Sequence, residues 1–412
     1  MLNFISKNLL QYKIYIFPLA GIILSLIVAS RAFCIGYFIT LLFFILRNRN
    51  FKLSFGFLSF SFLSILLLII PLIFYFKTAS SQGRLLIYKI SGRIFSDHWL
   101  HGIGLGKFKT TYLYYQADYF RSGDYTVKEL LLADNTYYAF NDYFQFIIET
   151  GLIGVVLIII TFLSFTYLII KANKNSKSFI LILACGQLIA ILTAALFNYV
   201  LCSLSVQLAI IICISIIMFF ALKIKFIYKC ITISFITIML FILALGIPYR
   251  FNPDYFYALQ QIPNIKELDR TGFKLEARQK LASVAGVLHE NSEYLELYSQ
   301  QQAAEGDLEN ALNTLKKLIK KSVSNNLYVR LGNIYSRLGK SRNAEQAYLM
   351  AVYMVPNRFQ SRYILYQFYR ETGQYQKAIS CAKSILALPV KIPSDEVEQI
   401  KSRVAKDLTH SF

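Results

Sequence analysis

Between Ser178 and Leu222 run 45 residues without a single Asp, Glu, Lys or Arg. A helix needs roughly 20 residues to cross the hydrocarbon core of a bilayer, so this run reads as two crossings, with the break near Asn198 and Tyr199. Five further uncharged apolar runs accompany it, at Ile14–Ser30, Ala32–Leu46, Ser54–Phe76, Leu152–Ile170 and Ile231–Ile247. Seven spans are therefore expected. A cleaved signal peptide over residues 1–30 is the alternative for the first run, and the next run following within two residues argues against it. A mean hydropathy of +0.48 with only 16% charged residues fits no ordinary soluble domain. Six cysteines in 412 residues, with no CxxC pair and no His/Cys cluster, point to neither a disulfide scaffold nor a metal or redox site.

The net charge of +20 would suit a nucleic-acid partner, but its distribution does not. Residues 1–250 hold 21 Lys and Arg against 7 Asp and Glu, and no acid precedes Asp97. A basic excess packed between apolar spans is what the positive-inside rule produces. The linkers bearing Arg47, Arg49 and Lys52, then Lys171, Lys174 and Lys177, then Lys223, Lys225 and Lys229, fall on one side of a seven-span bundle. That side is read as cytoplasmic. The 77–151 loop and everything after Pro248 then lie outside, in the periplasm of a Gram-negative cell. No nucleic-acid partner is expected.

From about Asn291 the sequence repeats with a period near 34 residues. Leu331, Gly332, Tyr335, Ala344, Tyr348, Ala351 and Pro356 sit at tetratricopeptide spacings, and Leu365, Tyr366, Tyr369, Gly373, Ala378 and Ile385 follow one unit later. A looser unit before them keeps Gly306, Ala311, Leu315 and Leu318. The expected architecture is all-α: a polytopic helical membrane bundle over residues 1–248, a partly helical linker over 249–290, and an external α-solenoid over 291–412 closed by a helix near Ser394–Leu408. Such a repeat domain is expected to bind or position, with a protein partner as its natural ligand, and not to catalyse.

The 77–151 loop is too long for a mere connector. It carries eight Lys and Arg, seven Asp and Glu, the only tryptophan (Trp99), and tyrosines 112, 114, 115 and 119. Arginine suits phosphate and aromatic faces suit sugar rings, so an anionic, sugar-bearing ligand is one reading; an interfacial aromatic belt with solvated charges is the blander one. Arg93, Tyr114 and Tyr115 are the binding candidates on this count. Gly102, Gly104 and Gly106 form GxGxG without a following GK[ST], so a glycine turn that lets the backbone pass close to the membrane surface is expected in place of a nucleotide loop.

Four stretches are similar to the O-antigen ligase and polymerase (Wzy-C-type) membrane glycosyltransferases: Ser30-Arg31-Ala32, Ser80-Ser81-Gln82-Gly83-Arg84, Gly102-Ile103-Gly104-Leu105-Gly106-Lys107-Phe108, and Phe140-Asn141-Asp142-Tyr143-Phe144-Gln145 with Glu149-Thr150-Gly151-Leu152-Ile153-Gly154. Val355-Pro356-Asn357-Arg358 and Glu371-Thr372-Gly373-Gln374 resemble the tetratricopeptide tail of Bacteroidetes-type members. The resemblance implies that a glycan passes from a polyprenyl-diphosphate carrier to an acceptor such as lipid A-core, at the outer face of the inner membrane, with no metal and no cofactor. It implies that Arg31 and Arg84 neutralise the diphosphate, and it adds Asn141 to the binding candidates. Many members have His where this chain has Phe140. Either the acceptor's base lies elsewhere, with Asp142 and Glu149 the candidates and His101 a third, or the hydroxyl needs little activation. Members also carry several helices upstream of the Ser-Arg stretch, which this sequence is expected to lack. A ligase is the first expectation; a repeat-unit polymerase or a protein O-oligosaccharyltransferase would share the same residues. A non-catalytic membrane scaffold displaying its repeats is the reading from another class.

Overall fold

Described residues in the computed structural model are 2–47, 78–176, 178–222 and 253–410. Among them every regular element is helical. The expected spans at Ser54–Phe76 and Ile231–Ile247 lie outside the described residues, as do Arg49, Lys52, Lys177, Lys223, Lys225 and Lys229. The described residues fall into two compact units, one drawn from residues 1–81, 98–105 and 138–247, the other from 82–97, 106–137 and 248–412.

In the first unit, α1 (Leu2–Ile27) and α2 (Arg31–Arg47) are joined by a tight turn at Val28–Ser30. Helix α3 (Thr78–Asp97) begins in this unit and continues into the second. Further on come α6 (Asp142–Asn175), α7 (Phe179–Ala195) and α8 (Leu204–Ala221). The 45-residue run breaks where its polar residues are: α7 stops before Asn198, a 3-10 turn occupies Val200–Cys202, and Ser203 precedes α8. Two helices, Asp142–Asn175 and Leu204–Ala221, are long and apolar enough to cross a bilayer, while Ile14–Ile27, Arg31–Ile45 and Phe179–Ala195 are shorter apolar helices. Small residues let α2 and α7 meet closely. A methyl group on Gly36 would lie 2.3 Å from the Ala190 carbonyl oxygen, and one on Gly186 would lie 2.5 Å from the Phe44 ring. The Thr40 hydroxyl donates to the Gly186 carbonyl across this contact at 3.0 Å.

In the second unit, α4 (Phe108–Arg121) and α5 (Val127–Leu132) come from the loop. The remaining helices are α9 (Pro253–Arg270), α10 (Lys274–Ser283), α11 (Ala285–Leu288), α12 (Ser292–Ala304), α13 (Leu308–Ile319), α14 (Asn325–Arg337), α15 (Ser341–Met354), α16 (Phe359–Glu371), α17 (Tyr375–Ala387) and α18 (Asp395–His410). The stretch expected to be a partly helical linker is thus helical through most of its described length. From α12 onward the helices pair in sequence, and each pair turns at a glycine: Gly306, Gly339 and Gly373. The repeat pattern has a direct steric cause at Gly332, where a Cβ would lie 2.4 Å from the Tyr348 ring; only hydrogen fits beneath that tyrosine. Ala344, Ala351 and Ala378 are fully buried.

Candidate functional site

In the first unit the loop around Gly102 and Gly104 meets the turn of α6 at residues 148–152. The Ile103 amide donates to the Ile148 carbonyl at 3.2 Å, and the Gly104 amide donates to the Glu149 carbonyl at 2.8 Å. The Leu152 amide returns the contact by donating to the Trp99 carbonyl at 2.8 Å. These donors find free acceptors because α6 is broken at Gly151, whose φ of 65° and ψ of −150° belong to no helix. A Cβ on Gly151 would lie 2.5 Å from the Leu100 carbonyl carbon; one on Gly102 would lie 2.3 Å from the Glu149 carbonyl carbon. Both glycines combine a left-handed φ with backbone on the Cβ position, so no L side chain fits either one.

This junction holds the two acidic candidates on one helix. Glu149 is buried, and its Oε1 accepts from the Gln145 side-chain amide at 3.2 Å. Asp142 opens α6, and its Oδ2 accepts from the Leu201 backbone amide at 3.0 Å. Asn141 is the N-cap, its side-chain oxygen accepting from the Phe144 amide at 3.0 Å. Capping satisfies one of the four free N–H groups at a helix start, which gives Asn141 a structural task whatever else it does. Phe140 stands at φ 55°, with its ring 5.3 Å from that of Tyr199. Tyr199 also stacks on Tyr138 at 4.2 Å and 10°. Neither Tyr138 nor Tyr199 is a candidate on the sequence, where Tyr199 marks only the break in an apolar run. Arg31, exposed, begins α2 in the same unit. His98 and His101 are exposed.

The other basic candidates belong to the second unit. Arg84 is half-buried on α3, and Arg93 lies two and a half turns further along the same helix. The Arg93 guanidinium sits 4.7 Å from the centre of the Tyr119 ring, and the Lys89 ammonium sits 4.8 Å from it. Lys89 Nζ donates to the Tyr119 hydroxyl at 2.7 Å and to Glu129 Oε1 at 2.8 Å. Glu129 closes a capping box with Thr126 at the start of α5. Burial opposes its charge, but Lys89, the Thr126 amide, Tyr119 and the Thr126 hydroxyl outweigh that and hold the carboxyl down at about 2.

The tyrosine cluster is shared between α3 and the tail. Helix α4 packs along α15, and Tyr112 and Tyr119 are fully buried. The Tyr328 hydroxyl donates to that of Tyr114 at 2.9 Å, with the rings edge to face. Tyr115 donates to Asp97 Oδ2 at 2.9 Å; burial, then the neighbouring Asp97 carboxylate, push its phenol up to about 12. Both tyrosines offered for sugar binding thus have hydroxyls hydrogen-bonded to other side chains, Tyr114 at a part-buried position and Tyr115 at an exposed one.

The first unit is thus an apolar helical one with a glycine-locked junction, and the second is built of helices that pair in sequence. Residues 14–159 match the family model described as O-antigen ligase, and residues 326–358 match the tetratricopeptide repeat. The first match is thus to an O-antigen ligase domain and the second to one tetratricopeptide repeat, in line with the resemblance read from the sequence. The ligase domain supports a glycan transferase of the ligase and polymerase class. No curated protein matches the chain.

Proposed function

We propose that this chain moves a glycan from a polyprenyl-diphosphate carrier to an acceptor hydroxyl at the outer face of the inner membrane, as an O-antigen or polysaccharide ligase. One observation carries the reading: the O-antigen ligase match spans Arg31, Arg84, the glycine triplet and the Asn141–Glu149 stretch together. In the reaction the acceptor oxygen bonds to the anomeric carbon as the bond from that carbon to the diphosphate oxygen breaks. The electron pair leaves on the diphosphate, and the acceptor's proton passes to a carboxylate. Arg31 and Arg84, always charged, neutralise the leaving diphosphate. Asp142 or Glu149 takes the proton, and Arg93 and Asn141 contact the substrate. Preorganised charge of this kind is worth about 10²–10³ in rate per donor.

The membrane reading is seven spans with loop and tail outside. It is supported by the positive linkers and by the shared unit of residues 106–137 and the tail, since one compact unit occupies one side of a bilayer. The acceptor is lipid A-core on this reading, with a repeat-unit polymerase and a protein O-oligosaccharyltransferase as the nearest variants. Phe140, standing where many ligases have His, favours the non-catalytic scaffold as the second reading.

The test compares surface glycolipids and carrier-linked intermediates in a deletion strain complemented with wild-type or Arg84→Ala protein. Loss of polymer-bearing glycolipid with long carrier-linked glycan in the Arg84→Ala strain is the ligase outcome; accumulated single units would mean a polymerase. A wild-type pattern from Arg84→Ala at equal protein level would remove the proposal and leave the scaffold.

A further inference from the structure

The tail's repeat surface is covered, within the second unit, by the chain's own loop. Three buried polar side chains make the joint. The Asn357 side-chain nitrogen lies 2.9 Å from the Leu130 carbonyl, 3.0 Å from that of Leu131 and 2.8 Å from that of Ala133. These are the end carbonyls of α5, which have no partner within the helix. The Gln116 side-chain nitrogen donates to the Asp134 carbonyl at 3.1 Å and also to the Met354 carbonyl. Asn135 and Asn325 exchange bonds: the Asn135 side chain donates to Asn325 Oδ1 at 2.9 Å, and the Asn325 amide donates to Asn135 Oδ1 at 3.1 Å. Arg358 pairs with Asp134 at the rim, 3.0 Å apart.

We propose that the surface formed by the start of α14, the end of α15 and the turn at Pro356–Arg358 is an intramolecular dock for the loop, with Asn357 as the positioning residue that sets the helix bearing Arg84 and Arg93. The linkage is short. Asn357 holds the C-terminal end of α5; Glu129 on α5 holds Lys89 on α3; Arg84 and Arg93 lie five residues before and four after Lys89 on that helix. The occupant is the loop itself because Asn357, Gln116 and Asn325, all buried, each bond across the joint, and a buried amide without partners would oppose any looser arrangement. This part of the tail therefore holds its own loop in place of a partner protein. The functional consequence rests on the glycan-transfer reading; the docking itself does not.

The experiment uses the full-length protein in membranes. Asn357→Asp replaces the donor by a carboxylate facing three carbonyls, and Asn357→Ala removes it. Trypsin cleavage at Lys128 is expected to speed up at least tenfold in both, with cleavage at Arg337 and Lys340 in the tail unchanged. Transfer kcat is expected to fall at least tenfold, with KM for the acceptor held. Asp134→Cys with Arg358→Cys, joined by a short bis-maleimide crosslinker in the Asn357→Ala background, should restore both. Unchanged Lys128 protection in Asn357→Asp and Asn357→Ala overturns the dock. Faster Lys128 cleavage with wild-type kcat overturns the positioning role, as does a crosslink that restores protection without kcat. Should Asn357→Asp also expose the tail sites, the crosslink arm decides. If the wild-type protein transfers no glycan, the glycan-transfer reading falls, and Lys128 cleavage alone decides the dock.

Discussion

The side-chain nitrogen of Asn357 donates to the carbonyl oxygen of Ala133 at 2.8 Å, across 224 residues of sequence. Ala133 is the C-cap of a six-residue helix, too short to persist alone in water. Its shape depends on the capping box at one end and on Asn357 at the other. Leaving such buried carbonyls unpaired costs about 1–3 kcal/mol. Asn357→Ala is accordingly expected to lower the thermal midpoint of the detergent-solubilised protein by several degrees, measured by the loss of helical circular dichroism. An unchanged midpoint would mean that water replaces the amide at no cost.

The junction between the glycine triplet and α6 makes a steric prediction. Gly102→Ala and Gly151→Ala each put a methyl group on backbone atoms and demand a left-handed φ from an L residue. Left-handed backbone alone costs about 1–2 kcal/mol for a residue with a Cβ. Both variants should therefore accumulate poorly or lose transfer. By contrast Gly106→Ala, with nothing within 4 Å of its Cβ, should pay the conformational cost alone and accumulate better than either. Equal accumulation of all three, read by quantitative immunoblot of membranes, would remove the close approach from the argument.

Two helical glycines should respond in opposite directions. At Gly332 an added methyl meets the Tyr348 ring at 2.4 Å, so Gly332→Ala overpacks the repeat and should cost about 1–3 kcal/mol. At Gly92, inside α3, nothing lies within 4 Å, and Gly92→Ala should gain about 0.5–1 kcal/mol through helix propensity. Urea midpoints of the two variants, measured side by side, check the pair.

Acid should loosen the loop through Glu129. Its folded carboxyl titrates at about 2, below the roughly 4.3 of an unfolded chain, so its stabilisation is complete above about pH 5. It is lost as pH falls through 4 towards 2. Lys89→Met removes the main favourable partner and should flatten this acid limb. Tryptic cleavage at Lys128 would not suit such pH values; hydrogen exchange of residues 126–133, followed by mass spectrometry from pH 3 to 7, reads the effect directly. The same acid limb in Lys89→Met and wild type would place its origin elsewhere.

Topology gives a further prediction. Reporters inserted at Gly123 in the loop and fused after Phe412 should be active on the same side of the membrane, outside the cytoplasm. Opposite signals would be incompatible with a unit built from both segments.

Much of the candidate junction is legible without coordinates. GxGxG with no phosphate-binding continuation points to a glycine turn, while the surface it approaches, the backbone at residues 149–151 in place of a membrane, comes from the coordinates. Asn141 reads as a ligand contact on the resemblance, while its geometry is that of an ordinary helix cap. The tyrosines have partners in the protein that the sequence does not announce. Tyr112, Tyr114, Tyr115 and Tyr119 suggest a sugar platform because they cluster in a loop rich in charged residues, and the same mixture serves a helix with one face on the tail. Composition cannot tell sugar from protein as the thing an aromatic ring covers.

The sequence by itself determined the described apolar helices, the break near Asn198 and Tyr199, the repeat at 326–358 and the glycine turns, because hydropathy period, capping and backbone sterics act within a few residues. Only the tertiary structure decided that α4 and α5 lie on the tail, that Asn357 closes α5, and that Lys89 joins α3 to both. Those choices depend on which buried donors meet which free carbonyls across some 200 residues, and no local pattern encodes a partner that far along the chain.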